Sequence, residues 1–367
     1  MNFGNSGFGI SDSVWISIAK REGRNAHFTD LVTPCVNSRT HHVTHAYDVL
    51  KSYVDRPSIP RCHRTRKDFR NANLVFHRSS RSKERDLIIS IASLKGGVGK
   101  STITAMLARQ IVDQRRASVL VIDMDPQRGA TILLLGPEMG TKIEPPTIYD
   151  ILLNRLERNP PTPVFMQAIR ASPYREDIYV LPATGELGNL TRTDAPANLL
   201  KTALAGYPLS KDLIVIVDTG SNHVLCEMSI AASNLAFIPV TLSHQSGVPT
   251  VNTLKTCMIH ETPVGGLIPI MVGKAGWQKG TMEAWRARLQ TAETLKEMGT
   301  EVLSPMPFSQ AIVRGKWRWG KIPQRFHPTL DEMISMIFKH PAWTRRDTYD
   351  EEPWNSMFVD KGERITA

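Results

Sequence analysis

Between an apolar strand and a helix, residues 93–102 read SLKGGVGKST, and few folds accommodate that order. The preceding residues 87–92, LIISIA, are short, apolar and β-branched. The following segment carries Ile103, Met106, Leu107 and Ile111 on one helical face. In the order strand, loop, helix, the loop N–H groups and the helix N-terminus converge on one point, where amide donors and the helix dipole can hold a polyphosphate. Gly96, Gly97, Val98 and Gly99 supply the backbone of that cradle. Lys100 reaches the phosphates, the Ser101 hydroxyl is placed to ligand Mg²⁺, and Thr102 closes the motif. The usual G-x-x-x-x-G-K-[ST] pattern departs at its first position, which is Leu94, and a second lysine, Lys95, comes next. A glycine-rich turn without a ligand is the competing reading, and the strand-to-helix context weighs against it.

Two further strands end in carboxylates. Residues 117–127, ASVLVIDMDPQ, bring Asp123 and Asp125 to the C-terminal edge of a parallel sheet, the edge at which ligands bind in open α/β folds. Residues 213–221, LIVIVDTGS, read as a strand buried on both faces and closed by Asp218, an arrangement suited to holding Mg²⁺ through water. Capping of the helices that follow is the plainer alternative for all three aspartates.

The loop KGGVGKST, with its extra Lys95, resembles the deviant Walker A of the ParA/MinD superfamily. The run VLVIDMDPQRGAT is similar to the ParA branch and departs from the MinD branch at Pro126 and Gln127. Residues 178–184, IYVLPAT, resemble the strand and "LPA" segment found at this place in ParA proteins. A short strand at 301–303 followed by Pro305-Met306-Pro307 matches the family's loop beside the nucleotide base. By this resemblance Lys95 contacts the nucleotide held by a partner subunit, Asp125 positions the attacking water and Asp123 supports the Mg²⁺ shell. The family more often has proline where Gly220 stands, which implies a more flexible switch after Asp218.

The chain has 367 residues and a net charge of +10. Such a balance favours a polyanionic partner. Residues 1–86 hold 15 Lys and Arg against 8 Asp and Glu, while residues 87–367 hold 30 against 27, so much of the excess sits in the leader. That leader lacks clean periodicity and reads either as a solvated, partly disordered arm or as a non-specific DNA-binding arm. Its Cys35, His41, His42, His45, Cys62 and His63 match no zinc-finger spacing, and no helix-turn-helix is evident in it. Cys226 and Cys257, like Cys35 and Cys62, form no C-x-x-C pair and are expected as free thiols.

Near the C-terminus, residues 312–321 alternate bases with aromatics, either as a DNA-facing surface or as a half-buried tryptophan pair with snorkelling bases. Lys316 and Arg318, with Lys274 and Lys279, are the candidate DNA contacts, and Arg286 and Arg288 join them. The segment 281–298 has the spacing of an amphipathic helix with Trp285 in the core. No apolar run is long enough to span a bilayer, no signal pattern opens the chain, and the tail is not a cationic amphipathic helix, so membrane attachment is not expected.

These readings combine into a set of expectations. The fold is α/β, with a doubly wound, mainly parallel sheet of the P-loop NTPase type over residues 86–345. A poorly structured basic extension occupies residues 1–85 and a tail occupies 346–367. The resemblance implies an ATPase using ATP and Mg²⁺ that forms an ATP-dependent homodimer and binds DNA non-specifically. It further implies stimulation by a ParB-like DNA-binding protein in partition or positioning of plasmid or chromosomal DNA, in the cytoplasm on the nucleoid. Conjugative DNA transfer, protein-cargo positioning and a non-hydrolysing DNA-binding scaffold are the alternatives.

Overall fold

The computed structural model describes residues 87–344 apart from residues 116, 158–163, 193, 206, 208–212, 274–275, 292–295, 297–298, 314, 316 and 318–319. The basic leader with its Cys and His residues, and the tail from residue 345, lie outside the described residues.

Nine strands form one sheet. They are β1 (Leu87–Ile91), β2 (Ser118–Met124), β3 (Arg170–Ala171), β4 (Ile178–Leu181), β5 (Leu213–Thr219), β6 (Leu235–Thr241), β7 (Val264–Val272), β8 (Glu301–Val302) and β9 (Met306–Pro307). Their spatial order is β3-β4-β2-β5-β1-β6-β7-β8, with β9 also on β7. Every pairing is parallel except that of β3 with β4. The helices are α1 (Lys100–Arg115), α2 (Gly129–Leu135), α3 (Pro137–Thr141), α4 (Ile148–Leu156), α5 (Val164–Ala168), α6 (Leu199–Leu204), α7 (His223–Ala232), α8 (Gly247–Ile259), α9 (Gly276–Thr291), α10 (Gln310–Val313), α11 (His327–Lys339) and α12 (Pro341–Thr344).

Strand alternation sorts the core onto two faces. Leu87, Ile89 and Ile91 of β1 and Ile214 and Ile216 of β5 pack with Ile103, Met106 and Leu107 of α1 and Leu330 and Met333 of α11. Ile88 of β1 and Leu213, Val215 and Val217 of β5 face the other way, onto Ile151 of α4, Phe165 of α5, Leu200 of α6 and Leu225 of α7. Helices on both faces of a parallel sheet account for strands that are apolar at nearly every position. Each fully buried aliphatic side chain contributes about 1.5–3 kcal/mol, against about 1 kcal/mol for a helix cap such as the Thr147–Asp150 capping box of α4. The core therefore holds the frame, and the caps set where its helices begin.

Central placement of β1 between β5 and β6 decides where chemistry can occur. The register sets Ile91 beside Asp218 and Asp218 beside Asp123, so the loop after β1 meets the carboxylates of two neighbouring strands at one edge.

Several local expectations change. The helix expected from residue 281 begins at Gly276, and its Trp285 packs with Ile238, Val240 and Leu254. Trp317 is buried and donates its indole N–H to the Ile312 carbonyl at 3.3 Å, so it is a core residue and not a plane offered to bases. β3 was not anticipated.

Candidate active site

The glycine loop leaves β1 and enters α1 at Lys100. Gly97 and Gly99 adopt φ of +71°, a region open to glycine without steric cost, and this lets the loop backbone curl toward one point. Val98 is buried and anchors the loop to the core. Leu94, in the place of the usual first glycine, packs against the cluster of β6, α8 and α9, and its N–H donates to Thr253 Oγ1 of α8 at 3.2 Å.

Lys100 is 7 % exposed and donates its ammonium to the Lys95 carbonyl at 3.2 Å. Burial pushes its pKa down, while Asp218, Cys226 and Asp125 lie near enough to pull it up. The ammonium is thus partly desolvated, which strengthens its pull on any anion entering the loop.

Asp218 is fully buried at the end of β5. Its Oδ1 accepts from Thr104 Oγ1 at 3.2 Å, and its Oδ2 has no hydrogen-bond partner. Burial and the neighbouring Asp123 raise its pKa well above the usual carboxylate range, against the pull of the Ser101 hydroxyl and the Lys100 ammonium. A buried carboxylate oxygen left unbonded beside a hydroxyl fits a hydrated Mg²⁺, because the ion's water would satisfy it. Among the described residues no three His, Cys, Asp or Glu side chains are grouped to hold a metal alone.

Asp123, expected in the metal shell, is already engaged. Its Oδ1 accepts the Asp125 N–H at 3.0 Å, and its Oδ2 accepts the N–H and hydroxyl of Thr131 at 2.8 and 2.7 Å. Burial raises its pKa to about 6 despite these bonds. These bonds fix the start of α2 and the Asp125 backbone. Asp125 itself is half-buried, and its Oδ1 accepts the Gln127 N–H at 2.9 Å. Gly220 lies against it: a Cβ there would stand 3.2 Å from the Met124 carbonyl and 3.5 Å from Asp125 Cγ. Gly129 has no room either, since a Cβ would come within 2.4 Å of Ser101 Oγ. The DPQRG turn is thereby pressed onto the loop.

Lys95 points its ammonium at three hydroxyls, Thr241 at 2.9 Å, Ser243 at 3.0 Å and Ser246 at 2.7 Å. Sequence reasoning passed over this trio, although a T-x-S-x-x-S run closing an apolar strand was the available signal. Cys226 is fully buried, and burial pushes its thiol up to about 11. Cys226 and Cys257 are free thiols. Of the expected DNA contacts, Lys279 is exposed on α9 with Glu283 at 4.0 Å. Lys274, Lys316, Arg318 and the side chain of Arg288 lie outside the described residues, and Arg286 is exposed.

A family model described as an AAA domain matches residues 86–259. The chain is 33% identical over 159 residues to the chromosome partitioning protein ParA of Myxococcus xanthus, covering 42% of this chain and 51% of that protein. Over this matched stretch the chain is similar to the ParA/MinD-type P-loop ATPases. A second relative is the sporulation initiation inhibitor protein Soj of Bacillus subtilis, 32% identical over 157 residues, covering 42% of this chain and 57% of Soj. The chain thus spans about half the length of these curated relatives.

Solved structures share the fold of this chain. Apo McdA of Cyanothece superposes with a TM-score of 0.51 at 22% identity, covering 67% of this chain and 99% of McdA. A cobyrinic acid a,c-diamide synthase of Mycobacterium smegmatis, solved with an ATP analogue and magnesium, gives 0.51 at 20% identity, covering 70% of this chain and 95% of that one. Among the described residues, no helix is long and apolar enough to cross a membrane.

Proposed function

We propose that this chain is a Mg²⁺-dependent ATPase that closes into a homodimer on ATP, holds DNA non-specifically in that state and lets go after hydrolysis. The observation that carries this reading is the convergence at one sheet edge of Lys100, the unbonded Asp218 oxygen beside Ser101, and Asp125. We assign residues 86–345 to the ATPase body, with the basic leader and the tail as appendages.

Each residue has a part in the chemistry. The loop N–H groups from Gly96 to Thr102 and the Lys100 ammonium bind the phosphates. Ser101 and, through water, Asp218 would hold Mg²⁺, which when bound neutralises charge building on the phosphate oxygens. Asp125 orients the attacking water, and Asp123 holds the Asp125 backbone where that water must stand. Lys95 reaches the phosphates of the partner's nucleotide when the dimer closes.

The wider role follows from the company this chain keeps. Similarity to a chromosome partitioning protein, together with a basic leader, supports partition or positioning of DNA, with a ParB-like DNA-binding protein stimulating hydrolysis. Lys279, and Lys274, Lys316 and Arg318 beyond the described residues, are the proposed DNA contacts in the body. Binding of the full chain to non-specific duplex DNA, compared with ATP, ADP and no nucleotide at two salt concentrations, tests the reading. Binding that requires ATP and weakens steeply with salt is expected. Binding that ignores nucleotide would contradict the ATP-gated dimer.

A further inference from the structure

Residues 103, 104, 107, 108 and 111 form the stripe of α1 that faces the sheet, and all but one of them are apolar. Ile103, Leu107, Ala108 and Ile111 belong to the core, and Thr104 stands among them at 0 % exposed. Burying a hydroxyl in such a place is costly unless it is bonded. A threonine inside a helix ordinarily meets that need by donating to a carbonyl of its own helix, about one turn back. The three threonines of α8 each do this, at 2.7, 2.8 and 3.0 Å. Thr104 does otherwise. Its Oγ1 donates across to Asp218 Oδ1 at 3.2 Å, 114 residues away in the chain.

Helix geometry explains the reach. Thr104 follows Lys100 by four residues and Ser101 by three, so the three lie on one face of α1, one turn apart. Lys100 and Ser101 stand near the Asp218 carboxylate at the loop end of the helix, and Thr104 meets it from a turn farther in. The sheet offers no rival donor from β2, because Asp123, the neighbour in register, is itself an acceptor through both its oxygens. The bond from α1 therefore takes Oδ1, and the oxygen without a partner is Oδ2.

We propose that Thr104 is a positioning residue for the metal: it anchors Asp218 Oδ1 so that Oδ2 is the oxygen left to receive a water of bound Mg²⁺. This rests on the reading of Asp218 and Ser101 as the residues that hold Mg²⁺. A carboxylate held at one oxygen cannot swing about its Cβ–Cγ bond without breaking a charge-assisted hydrogen bond. The anion is thus aimed before the ion arrives, as partners behind a metal ligand commonly aim it. Thr104 belongs neither to the glycine loop nor to the two aspartate strands, so the fold alone reveals the part it plays.

Equilibrium binding of a fluorescent, non-hydrolysable ATP analogue to the full chain, in EDTA and across a Mg²⁺ titration, tests this through Thr104→Val, which keeps the shape and drops the hydroxyl. Affinity in EDTA should be unchanged, and the tightening that Mg²⁺ gives the unmodified chain should shrink about tenfold. Thr104→Ala makes the same test without a methyl group set against the carboxylate, and the same result is expected. Thr104→Ser, which keeps the donor, should restore the Mg²⁺ response. Thr256→Val, which removes a hydroxyl bonded to the Asn252 carbonyl of its own helix, should leave that response as it was. Equal loss of affinity in EDTA and in Mg²⁺, or an undiminished Mg²⁺ response in both Thr104→Val and Thr104→Ala, overturns the positioning role. If Asp218→Asn still blunts the response in that case, the metal reading stands without it. An unmodified chain whose affinity ignores Mg²⁺, or an Asp218→Asn variant with the full response, overturns the metal reading and this inference with it.

Discussion

Ser101 stands between two demands, contact with Gly129 on one side and closeness to Asp218 on the other. Gly129→Ala would place a methyl group in space the Ser101 hydroxyl occupies, turning it from the Asp218 side. Affinity for Mg²⁺·ATP should fall roughly tenfold or more, by the worth of one charge-assisted contact, with the unfolding midpoint little changed; a titration of nucleotide binding checks this. The buried carboxylates make a second prediction, with a definite sign. Asp123 has its folded pKa raised from 3.8 to about 6, and Asp218 is displaced the same way. Between pH 4 and 6 the folded chain then holds protons that the unfolded chain has lost, so these groups erode stability as pH rises through that window. Asp218→Asn removes one such charge. Without Mg²⁺ at pH 8 the variant should melt above the unmodified chain, by about 2–4 °C for each kcal/mol relieved. The gap should shrink toward pH 5. With Mg²⁺ and ATP present the order should reverse, because the amide lacks the anionic oxygen that holds the ion's water. Thermal scans across pH, with and without Mg²⁺·ATP, read both signs.

Elements that are long and uniformly apolar were legible before any coordinates. The runs LIISIA and LIVIVDTGS became β1 and β5, since a strand buried on both faces needs apolar residues at every position. At the start of α4, Thr147 and Asp150 form a reciprocal pair three residues apart. Thr147→Ala should cost about 1 kcal/mol and lower the unfolding midpoint by a few degrees, measured by thermal or urea denaturation. What stayed hidden has physical reasons. β3 is two residues long and owes its existence to pairing with β4, so no periodicity could announce it. Trp317 sits among basic residues, so sequence left a DNA-facing and a half-buried reading open, and the fold turns its ring into the core. The hydroxyls that receive Lys95 are 146 to 151 residues away from it in the chain. Only the adjacency of β1 and β6 brings them together, and local pattern carries no trace of that.

At the scale of the whole molecule, the strand order β2-β5-β1-β6 gathers two carboxylate strands, the glycine loop and the hydroxyl trio along one edge. Each group comes from a different stretch of sequence, and the sheet register aligns the strand ends from which they follow. Phosphate release by the purified full chain, with Mg²⁺·ATP and duplex DNA, tests the account at its centre when Asp125→Ala and Lys100→Ala are assayed beside the unmodified chain. The account predicts turnover by the unmodified chain, loss of nucleotide binding in Lys100→Ala, and in Asp125→Ala a retained nucleotide with turnover lowered by about 100-fold or more. Undiminished turnover in Asp125→Ala would contradict it.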